Sequence, residues 1–228
     1  MGQIEDLGRI VGGGLVAIVR LDREAPLMAV AEALGAGGID VIEVTMTTPG
    51  ALDALREASA SLRDRALLGA GTVLDSQTAR AAILAGARFI VSPTLSGSVI
   101  KTCRRYSVVS IPGAYSPTEI LAAWELGADL VKVFPAGGLG PQYIKDVLAP
   151  LPQVRLVPTG GVDLGNIRAF LEAGAAAVAV GGNLVSKSVV ARGDFAALTE
   201  TARQFRMAVD TARNGLAQPA VHVAPGLQ

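Results

Sequence analysis

The sequence predicts an α/β fold in which eight strand–helix units close into a single (β/α)8 barrel. Short apolar segments rich in β-branched residues alternate with longer helical patterns along the chain. The apolar segments show little alternation with polar residues, which is typical of parallel strands covered on both faces. A chain of 228 residues, half of them hydrophobic, is long enough for one large core. A doubly wound open sheet has the same alternation and remains the alternative fold.

The predicted elements follow one another without a linker. A helix over residues 3–11 is expected to precede the first strand. The candidate strands are, in chain order, Leu15–Arg20, Val41–Met46, Leu67–Val73, Phe89–Pro93, Val108–Pro112, Leu130–Pro135, Arg155–Thr159 and Ala177–Gly181. Helical patterns follow the strands, as in Ala25–Leu34, Ser76–Leu84, Pro117–Leu126 and Phe195–Ala212. We therefore expect one barrel domain over residues 1–213 and a flexible C-terminal tail over residues 214–228.

The composition argues against several classes of function. Twenty basic residues balance twenty acidic ones, so the chain shows no basic footprint for nucleic acid or for an anionic membrane. The uncharged stretch Ala173–Ser186, which is rich in alanine and valine, is shorter than the roughly 18 residues that a spanning helix needs. The N-terminus lacks the basic start of a signal peptide. The one cysteine, Cys103, cannot form an internal disulfide, so a cytoplasmic location is expected.

The single histidine, His222, restricts the chemistry further because it lies in the predicted tail. Metal-dependent barrel enzymes usually use histidine ligands, and a serine–histidine pair would find no histidine in the barrel. We therefore predict no metal site. Proton transfer within the barrel is left to Glu, Asp, Lys, Tyr or water.

Lys132 is the first candidate catalytic residue because it interrupts an apolar strand, Leu130–Pro135. The chain has only four lysines against sixteen arginines, and the other three lie in helical or loop sequence. Barrel active sites lie at the C-terminal ends of the strands, and strand alternation points Lys132 and Phe134 to the same face. An amine at the barrel mouth can attack a carbonyl once it has lost its proton. A lysine on an edge strand, or one paired with a carboxylate for structure, is an equally acceptable interpretation.

Glu43 is the second candidate, because it is a charged residue within the β-branched strand Val41–Met46. Buried carboxylates are rare unless they are paired or functional. The second and sixth strands face each other across an eight-stranded barrel, which would place Glu43 opposite Lys132. One amine and one carboxylate suffice for Schiff-base chemistry with proton transfer. A structural ion pair between the two residues is the alternative.

Two glycine-rich strand ends predict a phosphate site. Pro158-Thr159-Gly160-Gly161 ends the seventh strand, and Gly181-Gly182-Asn183 ends the eighth. Barrels often bind phosphate in the loops after these two strands, through exposed backbone N–H groups. Glycine also serves ordinary turns, so one such pair alone would be weak support. Arg20, at the end of the first strand, is a candidate for binding a substrate anion or else a surface arginine.

Several motifs together carry a resemblance to a known family. In chain order they are Ile42-Glu43-Val44-Thr45, Gly69-Ala70-Gly71-Thr72-Val73, Ser92-Pro93, Ile111-Pro112-Gly113, Lys132-Val133-Phe134-Pro135-Ala136, Gly140-Pro141-Gln142-Tyr143-Ile144-Lys145 and Pro158-Thr159-Gly160-Gly161-Val162. With these motifs the chain resembles, from about Val11 to Ala208, the 2-keto-3-deoxy-6-phosphogluconate (KDPG) and 4-hydroxy-2-oxoglutarate (KHG) aldolases.

The resemblance implies a class I aldolase barrel in which Lys132 forms the Schiff base and Glu43 shuttles protons. It further implies that Thr72 and Pro93 line the pyruvyl part of the pocket and that Phe134 lies beside the lysine. The residues expected to hold the phosphate are Thr159, Gly160 and Gly161, joined by Gly181, Gly182 and Asn183 of the eighth strand end. Such enzymes work without a metal or a cofactor, act on small 2-keto acids, and are cytoplasmic and usually homotrimeric.

Two positions depart from the family pattern. Well-studied members carry a substrate-binding arginine four residues after the glutamate, where this chain has Thr47, which we count among the substrate-binding candidates. Many also carry a serine after the glycines of the eighth strand, where this chain has Asn183. We expect Arg20 to take over anion binding and the Asn183 amide to contact the phosphate.

The expected reaction is cleavage of KDPG to pyruvate and glyceraldehyde 3-phosphate, with KHG, which yields pyruvate and glyoxylate, as a second substrate. Three alternatives remain open. One is a 2-keto-3-deoxy-6-phosphogalactonate aldolase, and another is a phosphosugar isomerase or epimerase on the same barrel. The third is a non-catalytic trimeric barrel scaffold.

Overall fold

In the computed structural model, which describes residues 2–21 and 26–214, helices surround a ring of parallel strands. The strands are β1 (Leu15–Val19), β2 (Val41–Thr45), β3 (Leu67–Gly71), β4 (Phe89–Val91), β5 (Val109–Ile111), β6 (Gly113–Ala114), β7 (Val131–Val133), β8 (Leu156–Pro158) and β9 (Val178–Val180). The helices are α1 (Gln3–Gly13), α2 (Leu27–Ala36), α3 (Ala51–Leu62), α4 (Ser76–Leu84), α5 (Gly97–Arg105), α6 (Pro117–Glu125), α7 (Gly140–Leu148), α8 (Ile167–Glu172), α9 (Lys187–Ala191) and α10 (Phe195–Arg213), with a short 3-10 helix at Arg63–Arg65.

Backbone hydrogen bonds close the ring of strands. One sheet has the order β5-β4-β3-β2-β1-β9 and a second has the order β6-β7-β8, with parallel pairing throughout. The sheets join on one side because β5 and β6 follow each other directly in the chain. On the other side Thr159 bridges to Ala179, and Ala176 N donates to Leu156 O at 2.9 Å. The predicted closed barrel is confirmed, and the doubly wound open sheet is wrong.

The fifth strand departs from its predicted form, one segment over Val108–Pro112. It is interrupted at Pro112, and pairing resumes at Gly113–Ala114 as β6. Proline has no N–H to donate to a strand ladder, although Pro112 O accepts a hydrogen bond from Lys132 N at 2.9 Å. The other seven predicted strands differ from the observed ones by no more than two residues at either end.

Apolar side chains fill the lower part of the barrel, at the N-terminal ends of the strands, and α1 closes that end. The buried interior residues contributed by the strands include Val16, Val41, Leu67, Phe89, Val109, Leu130 and Val157. Leu7, Ile10 and Val11 of α1 belong to the same cluster. Alternation along each strand then places Glu43 and Lys132 one layer above Val41 and Leu130. The described residues therefore close the lower end of the barrel and leave a cavity at the C-terminal ends of its strands.

The ends of the chain agree with the sequence analysis as far as they are described. The helix expected over residues 3–11 is α1, and the last helix, α10, ends at Arg213. The predicted tail over residues 214–228, including His222, lies outside the described residues except for Asn214. Among the helices that the structure describes, none is both long and apolar enough to cross a membrane.

Candidate active site

A cavity of about 540 Å³ opens at the C-terminal ends of the strands. Every site residue predicted from the sequence lines it except Thr47. The cavity brings together residues from distant parts of the chain, because parallel strands present all their C-terminal ends at one edge. The site residues that line it are Arg20, Glu43, Thr72, Pro93, Lys132, Phe134, Thr159, Gly160, Gly161, Gly181, Gly182 and Asn183.

Lys132 lies on β7 and is 6% exposed, which places its amine inside the cavity. Its backbone is fixed on both sides, by pairing with Gly113 of β6 and with Val157 of β8. The Nζ atom lies 5.1 Å from the centroid of the Phe134 ring, two residues along the same face. A ring face at this distance attracts a protonated amine, so Phe134 orients the lysine towards the cavity.

Glu43, on β2, is 1% exposed, and its Oε2 atom has no hydrogen-bond partner among the described residues. Burial raises the pKa of Glu43 above its ordinary value, and the nearby charges of Lys132 and then Arg20 lower it only in part. Gly71 leaves the space for this carboxylate, because a Cβ at that position would overlap the Glu43 side chain. A carboxyl whose pKa is raised by burial holds a proton more readily than an exposed one, which suits a group that takes up and returns a proton.

The geometry argues against a structural ion pair between Glu43 and Lys132. The charge of Lys132 lowers the pKa of Glu43, yet no hydrogen bond joins these two described residues. A buried pair retained for structure would be hydrogen-bonded, because an unpartnered buried carboxylate carries a large desolvation cost. An unsatisfied oxygen directed into a cavity is instead suited to a substrate or a water molecule.

Thr72, in the loop after β3, lies at the cavity wall beside Pro93 and has a strained backbone. Its φ angle is +58°, a conformation that is rare for a β-branched residue. The next residue, Val73, is tied to the barrel through a hydrogen bond from its N–H to Val91 O at 3.1 Å. Non-glycine residues in this region concentrate at ligand-binding sites, where surrounding structure imposes the conformation.

The glycine-rich loops after β8 and β9 form the other end of the cavity. Gly160 and Gly161 have φ angles of +82° and +83°, which disfavour any other residue. A Cβ on Gly161 would lie 2.6 Å from the Cα of Gly137, so this glycine also allows two loops to pack closely. Asn183 Nδ2 donates to Val162 O at 2.9 Å and thereby ties the two loops together.

Thr47 does not line the cavity. The chain turns directly after β2, where Thr48 N donates to Thr45 O at 3.0 Å, and this turn leaves Thr47 exposed. The Thr47 hydroxyl donates to Thr45 Oγ1 at 3.2 Å rather than pointing towards Glu43. The tight turn therefore directs the Thr47 side chain away from the cavity.

Sequence reasoning missed several residues that line the cavity. Ile18, Ala179, Val162 and Val185 contribute apolar surface, and Lys187 contributes a charge from the first residue of α9. Apolar residues of this kind carry no sequence signal that distinguishes them from the core. Lys187 could have been found from its position a few residues beyond Gly181 and Gly182, at a strand end already predicted to bind an anion.

The described residues contain no group of three or more His, Cys, Asp or Glu side chains that could hold a metal ion. The titratable groups of the cavity are instead a buried amine, a buried carboxyl and two further cations. The fold and this cavity define the chain as a (β/α)8 barrel with a lysine–carboxylate site at the mouth.

Sequence comparison then defines the family. The profile of the KDPG and KHG aldolase family matches residues 9–201, and the chain belongs to this family. A 2-dehydro-3-deoxy-phosphogluconate aldolase of Pseudomonas aeruginosa is 38% identical over 192 residues, which are 83% of this chain and 86% of the relative. A 2-dehydro-3-deoxy-6-phosphogalactonate aldolase of Escherichia coli is 33% identical over 171 residues, which are 75% of this chain and 83% of the relative.

A solved structure gives the same result for the fold. It is the KDPG aldolase of Legionella pneumophila with pyruvate captured as a covalent carbinolamine intermediate. The two chains superpose with a TM-score of 0.81 and 28% sequence identity, over 89% of this chain and 97% of the other. The family assignment made from the sequence is thereby confirmed.

Proposed function

We propose that this chain is a class I aldolase that cleaves KDPG to pyruvate and glyceraldehyde 3-phosphate through a Schiff base on Lys132. KHG, which has a carboxylate in place of the sugar phosphate, is proposed as a second substrate. One observation carries the proposal: a buried lysine and a buried, unsatisfied carboxyl share a cavity at the mouth of the barrel.

The reaction begins when the deprotonated amine of Lys132 attacks the C2 carbonyl of the keto acid. The resulting carbinolamine loses water and becomes an iminium ion, which withdraws electrons from the adjacent C3–C4 bond. Thr72, Pro93 and Arg20 surround the acid end of the substrate. Holding the carboxylate there aligns the C3–C4 bond with the iminium π system.

Glu43 takes the proton from the C4 hydroxyl, directly or through one water molecule, as the C3–C4 bond breaks. The electrons of that bond move to C3 and form an enamine, and the aldehyde leaves. Glu43 then returns a proton to C3, and water hydrolyses the iminium to release pyruvate and regenerate Lys132. The raised pKa of Glu43, caused by burial, supports this two-way proton transfer.

A second candidate is cleavage of 2-keto-3-deoxy-6-phosphogalactonate, and the 33% identity to the Escherichia coli enzyme named for that substrate favours it. The two sugar acids differ in configuration at C4, where the Glu43 carboxyl acts. Both substrates share the pyruvyl end and the phosphate end, so the same lysine and the same glycine-rich loops would serve either.

We further propose that the enzyme needs no metal or cofactor and that it is a cytoplasmic homotrimer. The buried free Cys103 suits a reducing compartment. Leu74 and Tyr115, at strand ends near the mouth, are 59% and 49% exposed, and large apolar side chains of this kind suit a subunit contact. Activity that persists after treatment with EDTA, and a sedimentation coefficient expected for three subunits, would support these points.

The decisive experiment is reductive trapping with pyruvate and borohydride, followed by peptide mass mapping. The wild-type protein should gain one adduct on Lys132, and Lys132→Ala should gain none. Lys145→Ala, which removes an exposed lysine of α7 outside the cavity, is the matched control and should be labelled normally. Undiminished labelling of Lys132→Ala would move the Schiff base to another lysine.

A panel of retro-aldol assays identifies the substrate. Pyruvate release should be measured from the 6-phosphogluconate, 6-phosphogalactonate and 4-hydroxy-2-oxoglutarate substrates. A phosphosugar isomerase or epimerase would release no pyruvate from any of them, and a non-catalytic scaffold would also fail the trapping experiment.

A further inference from the structure

The chain just beyond β4 and the start of β6 approach each other so closely that no side chain fits between them. Gly113 is the first residue of β6, and a Cβ at this position would lie 2.3 Å from both the carbonyl carbon and the carbonyl oxygen of Pro93. It would also lie 2.8 Å from Thr94 N. Carbon atoms in van der Waals contact are about 3.5–4.0 Å apart, so any side chain at position 113 must displace this segment.

The segment that would be displaced forms part of the cavity wall, because Pro93 lines the cavity. Gly113 pairs with Lys132 of β7, and residues paired on neighbouring parallel strands face the same side of a sheet. Lys132 faces the cavity, so a side chain on Gly113 would also face it. Pro93 therefore occupies the space that Gly113 leaves empty on the cavity side of β6.

Backbone hydrogen bonds hold this part of the wall in register with the strand that carries the amine. Gly113 N donates to Thr94 O at 3.3 Å, which ties β6 to the residue after Pro93. On the other side of the same segment, Lys132 N donates to Pro112 O at 2.9 Å. The backbone at positions 112 and 113 thus joins the cavity wall to β7, and a shift at either position would change the distance between Pro93 and Lys132.

The backbone conformation of Gly113 does not itself require glycine. Gly160 and Gly161 have positive φ angles, whereas Gly113 does not. The property that the site uses at position 113 is therefore the missing side chain. Because Pro93 lies on the cavity side of Gly113, the space that can accept a displaced Pro93 is the cavity itself, and a side chain at position 113 would narrow it.

We propose that Gly113 is a positioning residue that sets, through Pro93, how large a 2-keto acid can form the Schiff base on Lys132. The inference rests on the proposed function, since it concerns the acid that Lys132 attacks. Gly113 touches neither the substrate nor the amine. It allows the wall at Pro93 to lie back against β6, and this gives the pyruvyl end of the cavity its width.

The test compares the rates at which cyanoborohydride traps pyruvate and 2-oxobutanoate, which is longer by one methylene, on the protein. In Gly113→Ala the ratio of the rate for 2-oxobutanoate to that for pyruvate should fall roughly tenfold, the scale on which a pocket rejects one methylene. Gly37→Ala is the matched control, since its Cβ would lie 2.4 Å from the Cβ of Ala202 in α10, outside the cavity. This control should lose stability but keep the wild-type ratio.

Pro93→Ala provides a second test that does not depend on the folding of Gly113→Ala. Removing the ring enlarges the same end of the cavity, so the ratio should rise several-fold, opposite to its change in Gly113→Ala. An unchanged ratio in Pro93→Ala or in a folded Gly113→Ala would overturn the inference, as would an equal fall in Gly37→Ala. Failure of the proposed function looks different, because neither acid would then be trapped on Lys132 of the wild-type protein.

Discussion

Two buried carboxylates lie at opposite ends of the barrel, and their surroundings differ. Asp129, at the lower end before β7, accepts hydrogen bonds from Ser110 N at 2.8 Å, Ser110 Oγ at 3.0 Å and Gln3 Nε2 at 3.1 Å. Glu43, at the mouth, has an Oε2 atom without a partner among the described residues. Burial raises the pKa of both groups, but hydrogen bonds from Ser110 and Gln3 oppose the rise at Asp129.

Other residues at the two ends of the barrel show the same contrast between partnered and unpartnered polar groups. At the lower end Asp6 pairs with Arg88, and Arg9 Nε donates to Asp40 at 2.8 Å. Arg213 of α10 donates to backbone carbonyls at the end of α1, which satisfies groups that a helix terminus leaves open. The mouth instead holds an unsatisfied carboxyl and a strained threonine. The lower end thus stabilises the fold, while the mouth keeps groups that cost stability and are available to a substrate.

The largest expected effect comes from Glu43→Gln. This change keeps the shape of the side chain but removes its ability to take up a proton, so kcat should fall about a hundredfold or more. Trapping of pyruvate by borohydride should continue, since Lys132 is intact. A near wild-type kcat would show that another group carries the proton and that Glu43 is structural.

The stability of Glu43→Gln at different pH values gives a second test of the contrast between Glu43 and Asp129. The folded state holds the Glu43 proton more tightly than the unfolded state, whose pKa is near the ordinary value of 4.5. The wild-type protein should therefore lose stability as pH rises from that value through the raised pKa, and Glu43→Gln should lose less. Urea unfolding at pH 5 and pH 8 measures the difference. A wild-type protein that gained stability relative to the variant over this range would contradict the assignment of Glu43 as an unsatisfied buried acid.

Asp129→Ala should lower the stability of the protein and leave its kcat nearly unchanged. Removing this carboxylate leaves the Ser110 N–H and hydroxyl without their acceptor, so the free energy of unfolding should fall by about 2 kcal/mol. The value of kcat should change little, because the site lies below the apolar layers of the barrel. Urea unfolding and steady-state assays on one preparation provide both numbers. A large loss of kcat in a folded Asp129→Ala protein would show that the lower end also affects catalysis, which would contradict the contrast between the two ends.

The difference between the two ends also explains what the sequence could predict. Lys132 and Glu43 were predictable because a charge inside a β-branched strand is rare and strand alternation fixes its direction. Lys187 was not predictable, because a lysine at the start of a helix is the ordinary case and only the closed barrel brings it to the cavity. Thr47 lies outside the cavity because the chain turns directly after β2, and the family spacing cannot reveal that turn. Asp129 contacts Gln3, 126 positions away, and Ser110 of β5, and no local pattern encodes these contacts.

Gly71→Ala should displace the Glu43 side chain without changing that residue itself. A Cβ at this position would overlap the Glu43 carboxyl, which is too deeply buried to move freely. We expect kcat to fall roughly tenfold and stability to fall by about 1–3 kcal/mol, as for other overpacked sites. Gly69→Ala, on the same strand as Gly71, is the matched control, since its Cβ would meet the Phe89 ring of β4 instead. Equal losses of kcat in both variants would mean that general disruption of β3, rather than the position of Glu43, explains the effect.

The smallest expected effect comes from relieving backbone strain at one position of each end. Thr72 and Ser107 have φ angles of +58° and +54°, but Thr72 lines the cavity and Ser107 lies at the lower end, just beyond α5. Replacing either residue by glycine relieves its left-handed conformation, and the gain of up to about 1 kcal/mol is reduced by the greater entropy of the unfolded chain. Ser107→Gly should therefore leave kcat and KM unchanged, whereas Thr72→Gly should raise KM several-fold because the side chain beside the pyruvyl end is lost. If the two variants had identical kinetics, the strain at Thr72 would have no connection with substrate binding.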